Sequence, residues 1–122
     1  MQAYLVDSSA WIEYFNGNRK CVELIETGIL KTPMIVIAEL VRYFAKKKFS
    51  QQEQATAINF VKSRSLLLQF SAEDAEAAGR LSEKESIPLT DAVIYSYASE
   101  ETPFLTSDAQ HFAGKKNVLL LK

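Results

Sequence analysis

The sequence is poor in the residues that several function classes require. Among its 122 residues there is one cysteine, Cys21, and one histidine, His111. A lone thiol cannot close an internal disulfide, which points to a reducing compartment. One Cys and one His cannot build a multi-ligand zinc site of the Cys/His type. His111 has no GxSxG-type nucleophile elbow to serve, so the common serine-hydrolase triad is excluded. Only 4 glycines and 3 prolines occur, and no Pro/Gly/Ser-rich linker divides the chain. Residues 1–122 are therefore expected to form one domain. No apolar run approaches the ~20 residues that span a bilayer. The opening MQAYLVDSSAW has no basic n-region and no long apolar stretch, so no secretory signal is expected. Excess positive charge is missing too, with 14 Lys and Arg against 15 Asp and Glu and a net charge of −1. Such a chain does not coat nucleic acid by bulk charge; contact with a phosphate backbone must use a local patch or a metal. These absences together describe a cytoplasmic protein without a membrane partner.

Hydrophobic residues make up 48% and charged residues 24%, enough apolar side chain to fill a core. AYLV reads as a short buried strand ending at Asp7, and Ser8 or Ser9 is suited to cap a helix through Phe15. Residues 19–27 read as a second helix stopped by Gly28, and 29–32 as a strand. Pro33 suits the start of a helix over 34–47. Ser50 and Glu53 match a capping box that opens a further helix. SLLLQF, residues 65–70, reads as a strand, and Ser71 as the cap of a helix to Glu85. Thr90 is placed to cap a helix from Asp91 to Ser99. A strand over 104–106, a helical turn over 109–113 and a closing strand NVLLL complete the chain. Strands alternate with helices, and no pair is joined by a hairpin turn. This pattern predicts an α/β fold: a three-layer α/β/α sandwich with about five short parallel strands and helices on both faces.

In such folds ligands gather outside the carboxyl ends of the strands. Asp7 directly follows the first strand and Asp108 closely follows the fourth. Each position is equally that of a cap or turn residue, and Asp91 at a helix start also complements the dipole. Glu39 lies in MIVIAELVRYF among apolar neighbours. It either pairs with Arg42 and Lys46 on a surface stripe or faces a cation near the strand ends. As a set, the acids allow a specific chemistry. Two carboxylates can hold Mg²⁺ or Mn²⁺ with waters completing the octahedron. Three or four can place metal ions for in-line attack on a phosphodiester, with no need for His or Cys.

The segments LVDSSAWIEYF, IAEL, IPLTDAVIYSYA and FLTSDAQHF, in this order, resemble the PIN domain family, and within it the VapC-type toxin ribonucleases. The resemblance runs nearly end to end. It implies a PIN-like fold and an acidic pocket of Asp7, Glu39, Asp91 and Asp108 that binds Mg²⁺ or Mn²⁺ and hydrolyses RNA. It also implies supporting roles for Ser9 and Thr106, a homodimer, and a small antitoxin partner whose segment wraps a groove. The chain departs from the pattern in two places. Gln110 stands where the family often has an acid or the start of a His-Phe pair, and His111-Phe112 comes one residue later. Pro33 and Met34 stand where a small hydroxyl residue is more usual.

Arg42 and Lys46 are candidate RNA contacts, although Lys46-Lys47-Lys48 is also a natural helix C-terminus. With four of the 15 acids assigned to the pocket, 11 remain against 14 basic residues, leaving the rest of the chain mildly positive. Trp11, Tyr14 and Phe15 read as core or partner-facing residues, as do Tyr95 and Tyr97. Two other readings stay open. One is a PIN-like binding or scaffold module without activity. The other is a receiver-like phosphotransfer domain, which needs a phosphoacceptor Asp directly after its third strand. The nearest such residue, Asp74, falls inside a helix.

Overall fold

A computed structural model describes residues 1–121. The elements are β1 (Ala3–Val6), α1 (Ser8–Phe15), α2 (Arg19–Thr27), β2 (Ile29–Pro33), α3 (Met34–Lys46), α4 (Gln51–Arg64), β3 (Leu66–Leu68), α5 (Ala72–Glu85), α6 (Leu89–Tyr95), β4 (Phe104–Thr106), α7 (Ala109–Phe112) and β5 (Val118–Leu120). The strands pair in parallel in the order β3-β2-β1-β4-β5. The chain therefore steps outward from β1 to β3 in one direction, then crosses to β4 and β5 in the other. Right-handed crossovers put α1 to α4 on one face and α5 to α7 on the other, giving three layers. Between β1 and β4 the direction of winding reverses. The crevice beyond their carboxyl ends is the switch point at which such sheets bind ligands.

The central strands are buried on both sides, so their residues are apolar without alternation. Leu5, Val6, Phe104 and Leu105 are all fully buried. Val36, Leu40 and Phe44 recur at helical spacing and press α3 onto the sheet. Trp11 is fully buried, and its Nε1–H donates to Thr32 Oγ1 at 3.1 Å, which lies 2.6 Å from Ser65 Oγ. This bond satisfies the indole in the core and ties α1 to the end of β2. Gly28 closes α2 where the chain passes the Tyr4 ring. A Cβ there would stand 2.7 Å from that ring, which explains the absent side chain.

Several boundaries differ from the sequence reading. Asp7, not Ser8 or Ser9, is the N-cap residue of α1, and its carboxylate makes no capping bond. Both serines lie inside the first turn because their hydroxyls turn to Asp7 instead. Thr90 does not cap α6. Pro88 occupies that place, its carbonyl accepting from Ala92 N–H, so Asp91 falls in the first turn. The helix ends at Tyr95 rather than Ser99. Strand β3 is only three residues, shorter than SLLLQF suggested. The capping boxes at Ser50–Glu53 and Ser71–Asp74 form with both reciprocal bonds.

Candidate metal centre at the switch point

Asp7 is set by the end of β1, where its own N–H donates to Leu105 O across the β1–β4 seam. Its side chain is 7% exposed. Oδ2 accepts from Thr106 Oγ1 at 2.6 Å and from Ser9 Oγ at 2.9 Å, and Oδ1 accepts from Ser8 Oγ at 3.2 Å. Burial raises its pKa, and these hydroxyls pull it partly back. Thr106 also accepts from Asp108 N–H at 3.0 Å, and Ser9 Oγ accepts from Ser107 N–H at 3.0 Å. Two hydroxyls thus lock the first acid to the loop that carries the last.

Glu39 stands on α3, one turn before Arg42, yet no ion pair joins them among the described residues. Its Oε1 is buried with no hydrogen-bond partner. Desolvation raises its pKa first, the Ser8 hydroxyl pulls it partly back, and repulsion from Asp7 and Asp91 adds to the rise. Asp91, in the first turn of α6, is raised by desolvation and by Asp7 and Asp108, while His111 opposes the shift. Asp91 thus repels Asp7, Glu39 and Asp108, and Glu39 also repels Asp7. Arg42 and Lys46 are exposed on α3.

Asp108 keeps part of the role a cap would give it. Its Oδ1 accepts from His111 N–H at 3.2 Å in α7. Its Oδ2 lies 2.8 Å from His111 Nδ1, which is 3.2 Å from Asp91 Oδ2. The Asp108 hydrogen bond raises the His111 pKa. Ligand atoms of Asp91, Asp108 and His111 all lie within 4.8 Å of one another; Asp7 and Glu39 fall outside that tight group. His111 was not a site candidate in the sequence. The available signal was its position three residues after Asp108, one helical turn, which puts both on one face.

A divalent ion suits this donor set. Carboxylate oxygens are the ligands that Mg²⁺ and Mn²⁺ prefer, and the orphaned Glu39 Oε1 is a buried acceptor lacking a donor or cation. The receiver-like alternative fares worse. Asp74 accepts from Ser71 N–H at 3.0 Å and Tyr97 Oη at 3.2 Å, so it serves to cap α5 far from these acids in the chain.

The family model of the PIN domain matches residues 4–115. No curated protein sequence matches the chain at a significant level. Among solved structures, a toxin–antitoxin complex from Klebsiella pneumoniae superposes with a TM-score of 0.79 at 22% identity, covering 96% of both chains. VapBC2 from Rickettsia felis, bound to a DNA fragment from its promoter, gives 0.73 at 21% identity over 98% of each chain. DNA-bound VapBC from Salmonella typhimurium gives 0.74 at 16% identity, over 99% of this chain and 98% of that one. At these identities the likeness is one of fold.

Proposed function

The chain belongs to the PIN domain family, and on that premise we propose that it is a divalent-metal-dependent endoribonuclease, the toxin of a toxin–antitoxin pair in the cytoplasm. The observation that carries the reading is Glu39 Oε1, buried and unpartnered in reach of the Asp7 and Asp91 charges, with Asp108 next to Asp91. A fold has no reason to keep such a repulsive set at a strand switch point unless a cation joins it. The scaffold reading would be favoured by loss of one acid, and all four are present.

Asp7, Glu39, Asp91 and Asp108 are the proposed ligands. A divalent cation, when bound, supplies a water of lowered pKa and positive charge against the phosphate. The protein's part is to hold the carboxylates in place. Ser9 and Thr106 fix Asp7, and Thr106 carries the Asp108 backbone. Arg42 and Lys46 are proposed to contact the RNA backbone from the exposed side of α3. Because water attacks, cleavage should leave no 2′,3′-cyclic phosphate. End-group analysis of cut RNA tests this; cyclic phosphate ends formed in chelator would refute it.

The antitoxin is proposed to lay an apolar segment into the groove of about 570 Å³ lined by Tyr14, Phe15, Ala57 and Phe60 between α1 and α4. A second copy is proposed to cover the exposed Met34, Ile35 and Phe70, which line a smaller apolar groove beside α3 and α6. Sedimentation as a monomer at working concentrations would contradict the dimer.

A further inference from the structure

We propose that His111 is a nitrogen ligand of the metal centre and turns its preference from Mg²⁺ toward first-row transition ions, Mn²⁺ among them. This rests on the metal-nuclease reading above and adds a donor that the acidic set does not contain. His111 Nδ1 lies 2.8 Å from Asp108 Oδ2 and 3.2 Å from Asp91 Oδ2. Adjacent vertices of an octahedron with bonds of about 2.1 Å stand roughly 3.0 Å apart. The imidazole nitrogen is thus spaced from both carboxylate oxygens as a neighbouring ligand would be. The two oxygens, within 4.8 Å of each other, fit adjacent or opposite vertices of the same shell.

The ring is held there from both sides. The His111 N–H donates to Asp108 Oδ1. Phe112, the next residue, is buried with its ring 4.7 Å from Phe104 and 5.3 Å from Tyr95, centroid to centroid. The turn of α7 is therefore pinned to the core while the imidazole faces the acids. Its side chain is 33% exposed. With the ring proton on Nε2, Nδ1 presents a lone pair to the space between the carboxylates. Imidazole is accepted along the first transition row, most weakly by Mn²⁺ and more strongly by the ions after it, whereas Mg²⁺ keeps to oxygen donors. The competing arrangement has a proton on Nδ1, making His111 an internal cation that a metal must displace.

Pulsed EPR on the wild-type protein loaded with Mn²⁺ distinguishes these without any variant. The expected result is a hyperfine coupling from a directly bonded imidazole nitrogen. Calorimetric titration of wild type, His111→Ala and the exposed control Gln110→Ala with Mn²⁺ and Mg²⁺ completes the test. His111→Ala should weaken Mn²⁺ binding by about tenfold or more and Mg²⁺ binding much less, and Gln110→Ala should change neither. Mn²⁺ bound without nitrogen coupling, or tighter binding of both metals by His111→Ala, would overturn the ligand role and leave the nuclease reading standing. No Mn²⁺ binding by the wild type would overturn both.

Discussion

Thr106 places two demands on one oxygen. It donates to Asp7 Oδ2 and accepts from Asp108 N–H. Thr106→Val keeps the shape but leaves the Asp108 N–H unpaired and takes from buried Asp7 one of its three hydroxyl donors, at a cost of about 1–3 kcal/mol. For a domain of this size the melting temperature should fall by roughly 5–15 °C, and Thr106→Ser should recover most of it. A valine variant that melts with the wild type would show that the oxygen does not hold the site. The pKa shifts add a pH dependence. Asp7, Glu39 and Asp91 are raised in the fold, so above their ordinary values the folded chain binds more protons than the unfolded one. Their stabilising protonation is lost as pH rises through the raised values. His111 is also raised, and its contribution is complete below 6.5 and lost as pH rises through the folded value. Both effects have one sign. The lowered Asp74 and Glu85 act only in the more acidic range, below about 3.8 and 4.5. In EDTA, melting temperatures should therefore decline from pH 5 to pH 8; a flat or rising profile contradicts the coupled pocket. Glu39 was legible in the sequence because an acid stood alone in an apolar helix. His111 was not, because its contact depends on the tight turn of α7 rather than on composition.

At the scale of elements, the legible features were those whose determinants are local. The two capping boxes, the Gly28 stop and the alternation of strands with helices all follow from neighbouring residues. The N-terminus of α6 does not. A hydroxyl at Thr90 fits a cap equally well, but the Ile87-Pro88 segment, with Ile87 buried, starts the helix two residues earlier. The same shift places Asp91 beside His111. Likewise β3 is short because only Leu66–Leu68 pair with β2, a register that no single segment contains. The α1–α4 groove carries its own prediction. Ala57→Arg puts a charged chain into an apolar trough at a half-buried position. The variant should lose inhibition by the antitoxin while keeping RNA cleavage, as read in a cleavage assay with titrated antitoxin. Undiminished inhibition would place the partner elsewhere.

For the whole molecule, the repulsion among Asp7, Glu39 and Asp91 is a liability that the proposed cation would relieve. Glu39→Gln removes a half-buried charge, one oxygen of which has no hydrogen-bond partner, that Asp7 and Asp91 repel. In EDTA it should melt roughly 3–6 °C higher, equivalent to about 1 kcal/mol. Mn²⁺ should stabilise the wild type by binding only the folded state, and the variant less. The topology adds the reason these residues meet: β1 and β4 are neighbours in the sheet but separated by almost the whole chain, so only the fold joins Asp7 to Asp108. This junction is the proposed metal-dependent ribonuclease site. Its most direct test is cleavage of a defined RNA by the purified chain, freed of antitoxin, in EDTA and after Mn²⁺ or Mg²⁺ is restored, beside Asp7→Asn and Asp91→Asn. The account predicts no cleavage in chelator, recovery with metal, and a loss of several orders of magnitude in both variants, since an amide is a poor ligand for a hard cation. Cleavage that persists undiminished in EDTA, or in either variant, would contradict it.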